Sequence, residues 1–409
     1  MLNKHITEKR KVIILAALLS FFVFYVVYKA PNCSVGFISG YTAAVNLIKG
    51  EPVAQFYKSG YFINSVQEIC PGTIDIYTPN IPTYSLMMVP LSIFSYSTAK
   101  IIWTCINLLF LTVILYIIKS NHQSRFTYVD FVLLLLLFQP LYTNFRMGQN
   151  YVFILLMLTL IWHGWKNNLP LMSGSALAAM TCLKLGAILI WPILIFSKEW
   201  KIVGVAGLCS VVFVVVTYPI IEMDGWIAFF DAIQGASNRS AGGVTAYQGV
   251  PGFFRHFFSF DPQWNPQPLI NNQWMGFTFP KLIVIVLTLL VIGVAARFSD
   301  KDLKISLGVI TSVIISPLAL DYHYVIFILP ILLISGTLHP AIFHKSNYLF
   351  YAGVILIAIP IPYTNATFNN GIISVFAYPK LYGGICLLIR TFQLISLNEA
   401  IAGTTQTEV

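Results

Sequence analysis

The chain has 409 residues, 57% of them apolar and only 10% charged, with a mean hydropathy of +0.77. A soluble domain carries about a quarter charged residues, so composition excludes a water-soluble globular protein. An aromatic content of 15% and six cysteines in this length also exclude disorder and a disulfide-stapled mini-protein. What remains is an all-α polytopic membrane protein. There the excess of 24 Lys and Arg over 15 Asp and Glu reads as cytoplasmic connectors rather than a nucleic-acid surface.

Lys4, Lys9, Arg10 and Lys11 precede the apolar run from Val12 to Tyr28. The first span is therefore expected to run from the cytoplasm outward; no small-x-small cleavage site follows it, which argues against a signal peptide. The basic connectors Lys119 to Arg125, Lys166, Lys198 to Lys201, Arg297 to Lys304, and His344 with Lys345 anchor the rest of the path inside. Further spans are expected near 98–118, 127–144, 149–165, 169–183, 185–197, 202–220, 280–296, 304–319, 322–337, 347–363 and 381–396. With the first they make about twelve, where a full span needs roughly 17–25 residues, and both termini fall in the cytoplasm. The run 83–97 is expected to embed part-way from the outer face. The run 185–197, short and containing Pro192, is expected to kink or insert only half-way. Two long segments, 29–97 and 221–279, then lie outside. Rich in aromatic residues, Pro and Asn, they read as packed lids on the membrane surface, where function concentrates. Without an internal repeat or a soluble module, residues 1–409 are expected to form one integral domain.

Cys105, Cys182, Cys209 and Cys386 fall inside spans as small hydrophobes. Cys33 and Cys70 share the first outer loop, where an oxidising compartment would allow a disulfide. The seven histidines show neither H-x-x-x-H nor H-E-x-x-H spacing, so no metal site is indicated, and no cofactor is expected.

Polar groups within or at the edge of spans are costly, about 2.5–3.5 kcal/mol for a charge at mid-membrane, and so are functional candidates. Four constellations qualify, all on the outer side of this topology. Asp75-Ile-Tyr-Thr-Pro-Asn-Ile-Pro82 leads into the embedded helix with Asp75 and Tyr77 at the interface; it could equally be an ordinary turn with an acid at a helix start. Arg146-Met-Gly-Gln-Asn150 is a tight hairpin carrying a cation and the amides of Gln149 and Asn150. Lys184 follows the small-residue stretch 173–179 and is followed at once by another apolar run; it is placed either to reach outer headgroups or to meet a lipid phosphate. In Ser316-Pro-Leu-Ala-Leu-Asp-Tyr-His-Tyr324, Asp321 stands two residues from His323 and could orient its imidazole. The second outer loop adds Gln248 and the aromatic-flanked Arg255-His256, where Arg255 is either an interfacial anchor or a second phosphate clamp.

Together these residues resemble family 87 of the GT-C glycosyltransferases, the bacterial polyprenol-phosphate-mannose-dependent mannosyltransferases, from about Tyr41 to His323. The resemblance rests on Tyr41 with Ala43-Ala44 and Gly50, then Gly148-Gln149, Lys184, Gln248, Gly252, Arg255, Ser316-Pro317 and His323. It departs from the family pattern at four places. Gly36 stands where the family carries an Asp taken as the catalytic base. Asn80-Ile81 replaces Tyr-Pro, Tyr247 replaces Asn, and Tyr322 replaces a first His.

The resemblance implies a GT-C fold and transfer of a hexose from a polyprenyl-phosphate donor to a hydroxyl on a lipid or glycan acceptor, outside a bacterial cytoplasmic membrane. Such chemistry needs a base near the acceptor hydroxyl and cations on the leaving phosphate. The expected roles are Asp75 as base, with Glu51, Glu68 and Asp224 behind it, His323 oriented by Asp321 at the phosphate or sugar, Lys184 and Arg255 on the phosphate, and Tyr41, Tyr77, Gln149, Asn150 and Gln248 lining the cleft. A lipid or polysaccharide transporter and an inactive lipid-sugar-binding relative are the rival readings. Transporters of this size often carry paired broken-helix repeats, which are missing here; the missing first-loop Asp favours the inactive relative.

Overall fold

The computed structural model of the chain describes residues 2–121, 134–184, 186–237, 243–262, 265–339, 344–363, 365, 368 and 371–406. Helices dominate, and among the described residues β pairing is confined to an isolated bridge between Asp261 and Asn265. The chain opens with α1 (Leu2–Lys29). The first long loop is itself largely helical: α2 (Phe37–Ile48), a 3-10 turn at Val53–Tyr57, α3 (Ser59–Ile69) and α4 (Tyr84–Ser92). Then come α5 (Tyr96–Asn121), α6 (Gln139–Met147), α7 (Tyr151–Lys166), α8 (Pro170–Leu183), α9 (Ile190–Phe196) and α10 (Trp200–Ser237). The second half contains α11 (Val250–Phe258), α12 (Phe279–Arg297), α13 (Lys301–Ile314), α14 (Ile328–Ser335), α15 (Tyr348–Ala358) and α16 (Pro379–Gln406).

Four of the described helical stretches are by themselves long and apolar enough to cross a membrane: Tyr96–Asn121, Trp200–Gly235, Trp274–Arg297 and Pro379–Leu397. A fifth arises if α6 and α7, bent by 120° across Gly148, count as one broken span. This is fewer than the twelve expected from the apolar runs. Those runs exist, but at about 1.5 Å per residue helices as short as the seven-residue α9 or the 14-residue α8 cannot cross roughly 30 Å of hydrocarbon alone. The expected span 127–144 lies partly outside the described residues. The span expected at 202–220 ends at a break in α10, where Glu222 adopts a non-helical conformation before helix resumes to Ser237; the break falls where the second outer segment was expected to begin. Apolar side chains of α10 and α12, among them Val211, Val215, Val216, Ile285 and Leu289, point outward and exposed. In a water-soluble protein that would be a liability; against lipid tails it is the stable arrangement.

Three of the basic connectors, at Lys166, 198–201 and 297–304, meet at one end of α7, while the connector 119–125 lies partly outside the described residues. The Lys166 ammonium pairs with Asp302 at 2.8 Å, and Asp302 also accepts the Trp162 indole N–H. Trp165 donates to Glu199, Lys301 to the Trp165 carbonyl, and Lys304 to the Ser197 hydroxyl. Asp300 caps α13 by accepting from the backbone N–H groups of Asp302 and Leu303. At the other end of α7, roughly 22 Å away by helix rise, Tyr151 packs against Tyr322 and His323. These three connectors and the 146–150 and 316–324 constellations therefore occupy opposite ends of the same helix.

Cys33 and Cys70 are joined by a disulfide that closes a 37-residue separation and ties the end of α1 to the end of α3. Such a crosslink contributes about 2–4 kcal/mol. Peptide mapping of the intact protein without reductant is expected to recover the two cysteines as one crosslinked pair; free thiols at both positions would contradict it.

Candidate active site

The site is assembled where the first loop, the α6–α7 hairpin and the link after α8 meet. Gly36 ends the disulfide-bridged turn with φ 103°, a conformation L side chains rarely adopt. A Cβ there would also collide with the Gln149 side chain, at 2.1 Å. The hairpin that carries Gln149 is itself closed by Gly148, whose left-handed conformation (φ 62°) caps α6. Glycine at position 36 thus lets the hairpin amide lie directly on the first loop.

The N–H of Gly36 donates to the Asp75 Oδ2 at 2.8 Å, and Asp75 Oδ1 accepts from the Ile76 N–H at 2.9 Å. Asp75 comes from the extended stretch after α3, far along the loop, yet its carboxylate is delivered to position 36. Burial pushes the Asp75 carboxyl above the usual carboxylate range; the two N–H donors and the nearby Lys184 charge pull the other way and do not cancel it. Lys184, which terminates α8, is half-buried. Its ammonium donates to the Asn80 side-chain oxygen and lies 4.8 Å from the Tyr84 ring centroid. Burial lowers it to about 8, with Asp75 opposing the shift. Asn80 is positioned in turn by its own amide, which donates to the Tyr77 carbonyl at 2.8 Å. Tyr84 lies beside the Asn150 side chain and within electrostatic range of Asp75.

Tyr322 and His323 complete the rim. Both are half-buried, Tyr322 is within electrostatic range of Asp75, and His323 is within range of Lys184. His323 is not oriented by Asp321, which corrects the expectation from their spacing. They sit in a 3-10 turn, where the His323 Nδ1 accepts the Leu320 N–H at 3.0 Å and its ring is flanked by Tyr151 and Tyr322. Asp321 points elsewhere: it accepts from Thr143 and pairs with Lys380 at 3.3 Å. It locks α6, the 3-10 turn and α16 together as a buried scaffold pair.

Other expected cleft residues are committed to the framework. The Tyr41 hydroxyl donates to the Phe94 carbonyl, and the Tyr77 hydroxyl bonds the 81–85 turn. The fully buried Gln248 amide donates to the carbonyls of Thr245 and Ala377 and accepts from the Lys380 N–H, while its own N–H donates to Ala319. Arg255 lies on α11 over the Phe277 ring at 5.1 Å, within electrostatic range of Tyr247, itself within range of Tyr322. Of the expected site residues, Asp75, Lys184, His323, Gln149 and Asn150 gather in one place, with Arg255 reached through Tyr247.

Sequence reasoning missed Tyr84, Tyr151 and Lys100. Lys100 lies fully buried near the start of α5 and donates to the carbonyls of Asn32 (2.7 Å) and Arg146 (3.1 Å), pinning the first loop to the hairpin. A lysine inside an apolar run was a signal in its own right.

No curated protein and no solved structure matches the chain. A model of glycosyltransferase family 87 matches residues 77–317, more than half of the chain and the stretch that holds Asn80, Tyr84, Gln149, Asn150 and Lys184. This all-α chain, with apolar helices fit for a membrane, belongs to glycosyltransferase family 87 and is a membrane glycosyltransferase.

Proposed function

We propose that the chain transfers a hexose, mannose by its family resemblance, from a polyprenyl-phosphate donor to a hydroxyl of a lipid or glycan acceptor at the outer face of a bacterial cytoplasmic membrane. The observation that carries this reading is the Asp75 carboxylate held on the Gly36 N–H within electrostatic range of the half-buried Lys184. A raised-pKa acid beside a cation without a bulk-water shell suits a base and a phosphate clamp. In the reaction, Asp75 takes the proton of the acceptor hydroxyl as its oxygen forms a bond to the anomeric carbon. The bond from that carbon to the phosphate oxygen breaks, and polyprenyl phosphate leaves with its new charge facing Lys184, with Arg255 as the second cation. Attack opposite the leaving phosphate inverts the anomeric centre. The disulfide supports an outward-facing first loop, because such bonds persist in oxidising compartments. We read residues 1–409 as one integral unit, since a continuous buried cluster runs from Phe22 to Ile395.

Membranes containing the protein, given polyprenyl-phosphate mannose labelled in the sugar, are expected to move label into a lipid or glycan fraction. Label carried across the bilayer on an unchanged donor would favour a transporter. Donor binding without any transfer would identify an inactive relative.

A further inference from the structure

A cavity of about 430 Å³ opens between the end of α1, the turn 32–35 that leads to Gly36, and α6. Its floor is apolar and tightly buried, with Val26 at 4% and Phe145 at 3% exposure. Its rim carries Lys29, Arg146 and Asn32, and no carboxylate is among its lining residues. Lys29 and Arg146 thus both line one space that no acid lines, the Lys29 ammonium resting 5.3 Å from the Tyr28 ring centroid and Arg146 within electrostatic range of Tyr363. The depth of this space relative to a bilayer follows from α1. Phe24 and Tyr28 stack at 6.0 Å and are 67% and 65% exposed, an aromatic pair at the end of an apolar helix. Such pairs settle at the headgroup level, which places the adjacent Lys29 there too. The volume falls in the range of small-molecule sites, about 300–1,000 Å³. An apolar floor under a cationic rim at headgroup depth matches an amphiphile with an anionic head.

We propose that this cavity is a binding site for the phosphate headgroup of an anionic outer-leaflet lipid, with Arg146 and Lys29 on the phosphate and the start of the lipid chain on Val26, Tyr142 and Phe145. Arg146 suits the role because its planar fork can grip two phosphate oxygens at once. The site is separate from Lys184, but its wall is the back of the active-site framework. Ser34 donates to the Met147 carbonyl, and Lys100 ties Asn32 to Arg146, so an occupant rests on the same two segments that place Gly36 and Gln149.

The test is native mass spectrometry of the full chain released from nanodiscs of phosphatidylcholine with phosphatidylglycerol as the minor component. It reads lipid binding and needs no turnover, so its failure is distinguishable from failure of the transfer reading. The wild type is expected to retain phosphatidylglycerol in preference to phosphatidylcholine. The double variant Lys29→Gln with Arg146→Gln is expected to lose roughly tenfold or more in phosphatidylglycerol affinity, as charge-assisted contacts do when the charge is removed. Val35→Trp, at an exposed lining position, fills the cavity while leaving both charges in place and is expected to lower the same affinity. Undiminished phosphatidylglycerol retention in the double variant overturns the proposal. So does loss in the double variant with none in Val35→Trp, because the charges would then act without the cavity. Displacement of phosphatidylglycerol by equimolar inorganic phosphate would show a free-anion site and overturn the lipid assignment.

Discussion

Asp75→Asn is expected to lower turnover by about 10²–10⁴-fold, the usual contribution of a positioned general base, while donor binding persists. The substitution keeps the shape and one oxygen to accept from the Gly36 or Ile76 N–H, so the loop retains its anchor while the proton acceptor is lost. A pH profile separates the catalytic role from a structural one. Burial raises Asp75 above an ordinary aspartate, and only its ionised form can take a proton. Turnover should therefore rise with pH through that raised value, and this acidic limb should disappear in Asp75→Asn. Glu51→Gln and Asp224→Asn should retain near wild-type turnover, since Asp224 is exposed on α10 and Glu51 sits at the far end of α2. Full turnover in Asp75→Asn, with loss in either of the others, moves the base elsewhere. If none of the three matters, the inactive-relative reading gains.

The charged and amide groups that an apolar chain should not carry were visible in the sequence because each is expensive next to lipid, and Asp75, Lys184, Gln149, Asn150 and His323 could be named from that cost alone. Their grouping on one side was also legible, because the basic connectors fix a direction and α7 holds the two polar clusters at opposite ends. Partner choice was not legible. Asp321 and His323 are two residues apart, which suggested a pair, but in a 3-10 turn of about three residues per revolution such neighbours diverge, and Asp321 turns to Thr143 and Lys380 instead. The partner of Asp75 was hidden for a different reason. Its carboxylate rests on a backbone N–H, and composition carries no trace of which amide donates to it. Gly36, which read as a lost acid, is the residue whose missing side chain makes room for the Gln149 amide beside the carboxylate of Asp75. Helix length was less legible, because hydropathy measures how apolar a run is and not whether its helix continues. The runs of α8 and α9 are apolar, but their helices are only 14 and seven residues long.

Lys184→Met is expected to weaken binding of the polyprenyl-phosphate sugar by about ten- to a hundredfold, the equivalent of the ~1.5–3 kcal/mol of a charge-assisted contact. Met retains most of the apolar stem beside Tyr84 but offers nothing to a phosphate oxygen. The fold should tolerate the change, because removing a half-buried charge also removes its desolvation cost. What the ammonium does without donor explains why it is available: one N–H goes to Asn80 and the charge rests on the Tyr84 ring, leaving other N–H donors for an incoming anion. With its pKa lowered to about 8, the free ammonium loses its proton as pH rises through that value. Donor affinity should therefore decline above about pH 8 in the wild type and stay flat and weak in Lys184→Met. The same change carries a second signature at Asp75. The Lys184 charge pulls the Asp75 carboxyl down, so its removal should move the acidic limb of turnover to higher pH. Donor affinity unchanged from the wild type in Lys184→Met would remove Lys184 from the phosphate site, whatever the effect on turnover, whereas weaker donor binding together with a shifted acidic limb would place the cation beside both the leaving phosphate and the base.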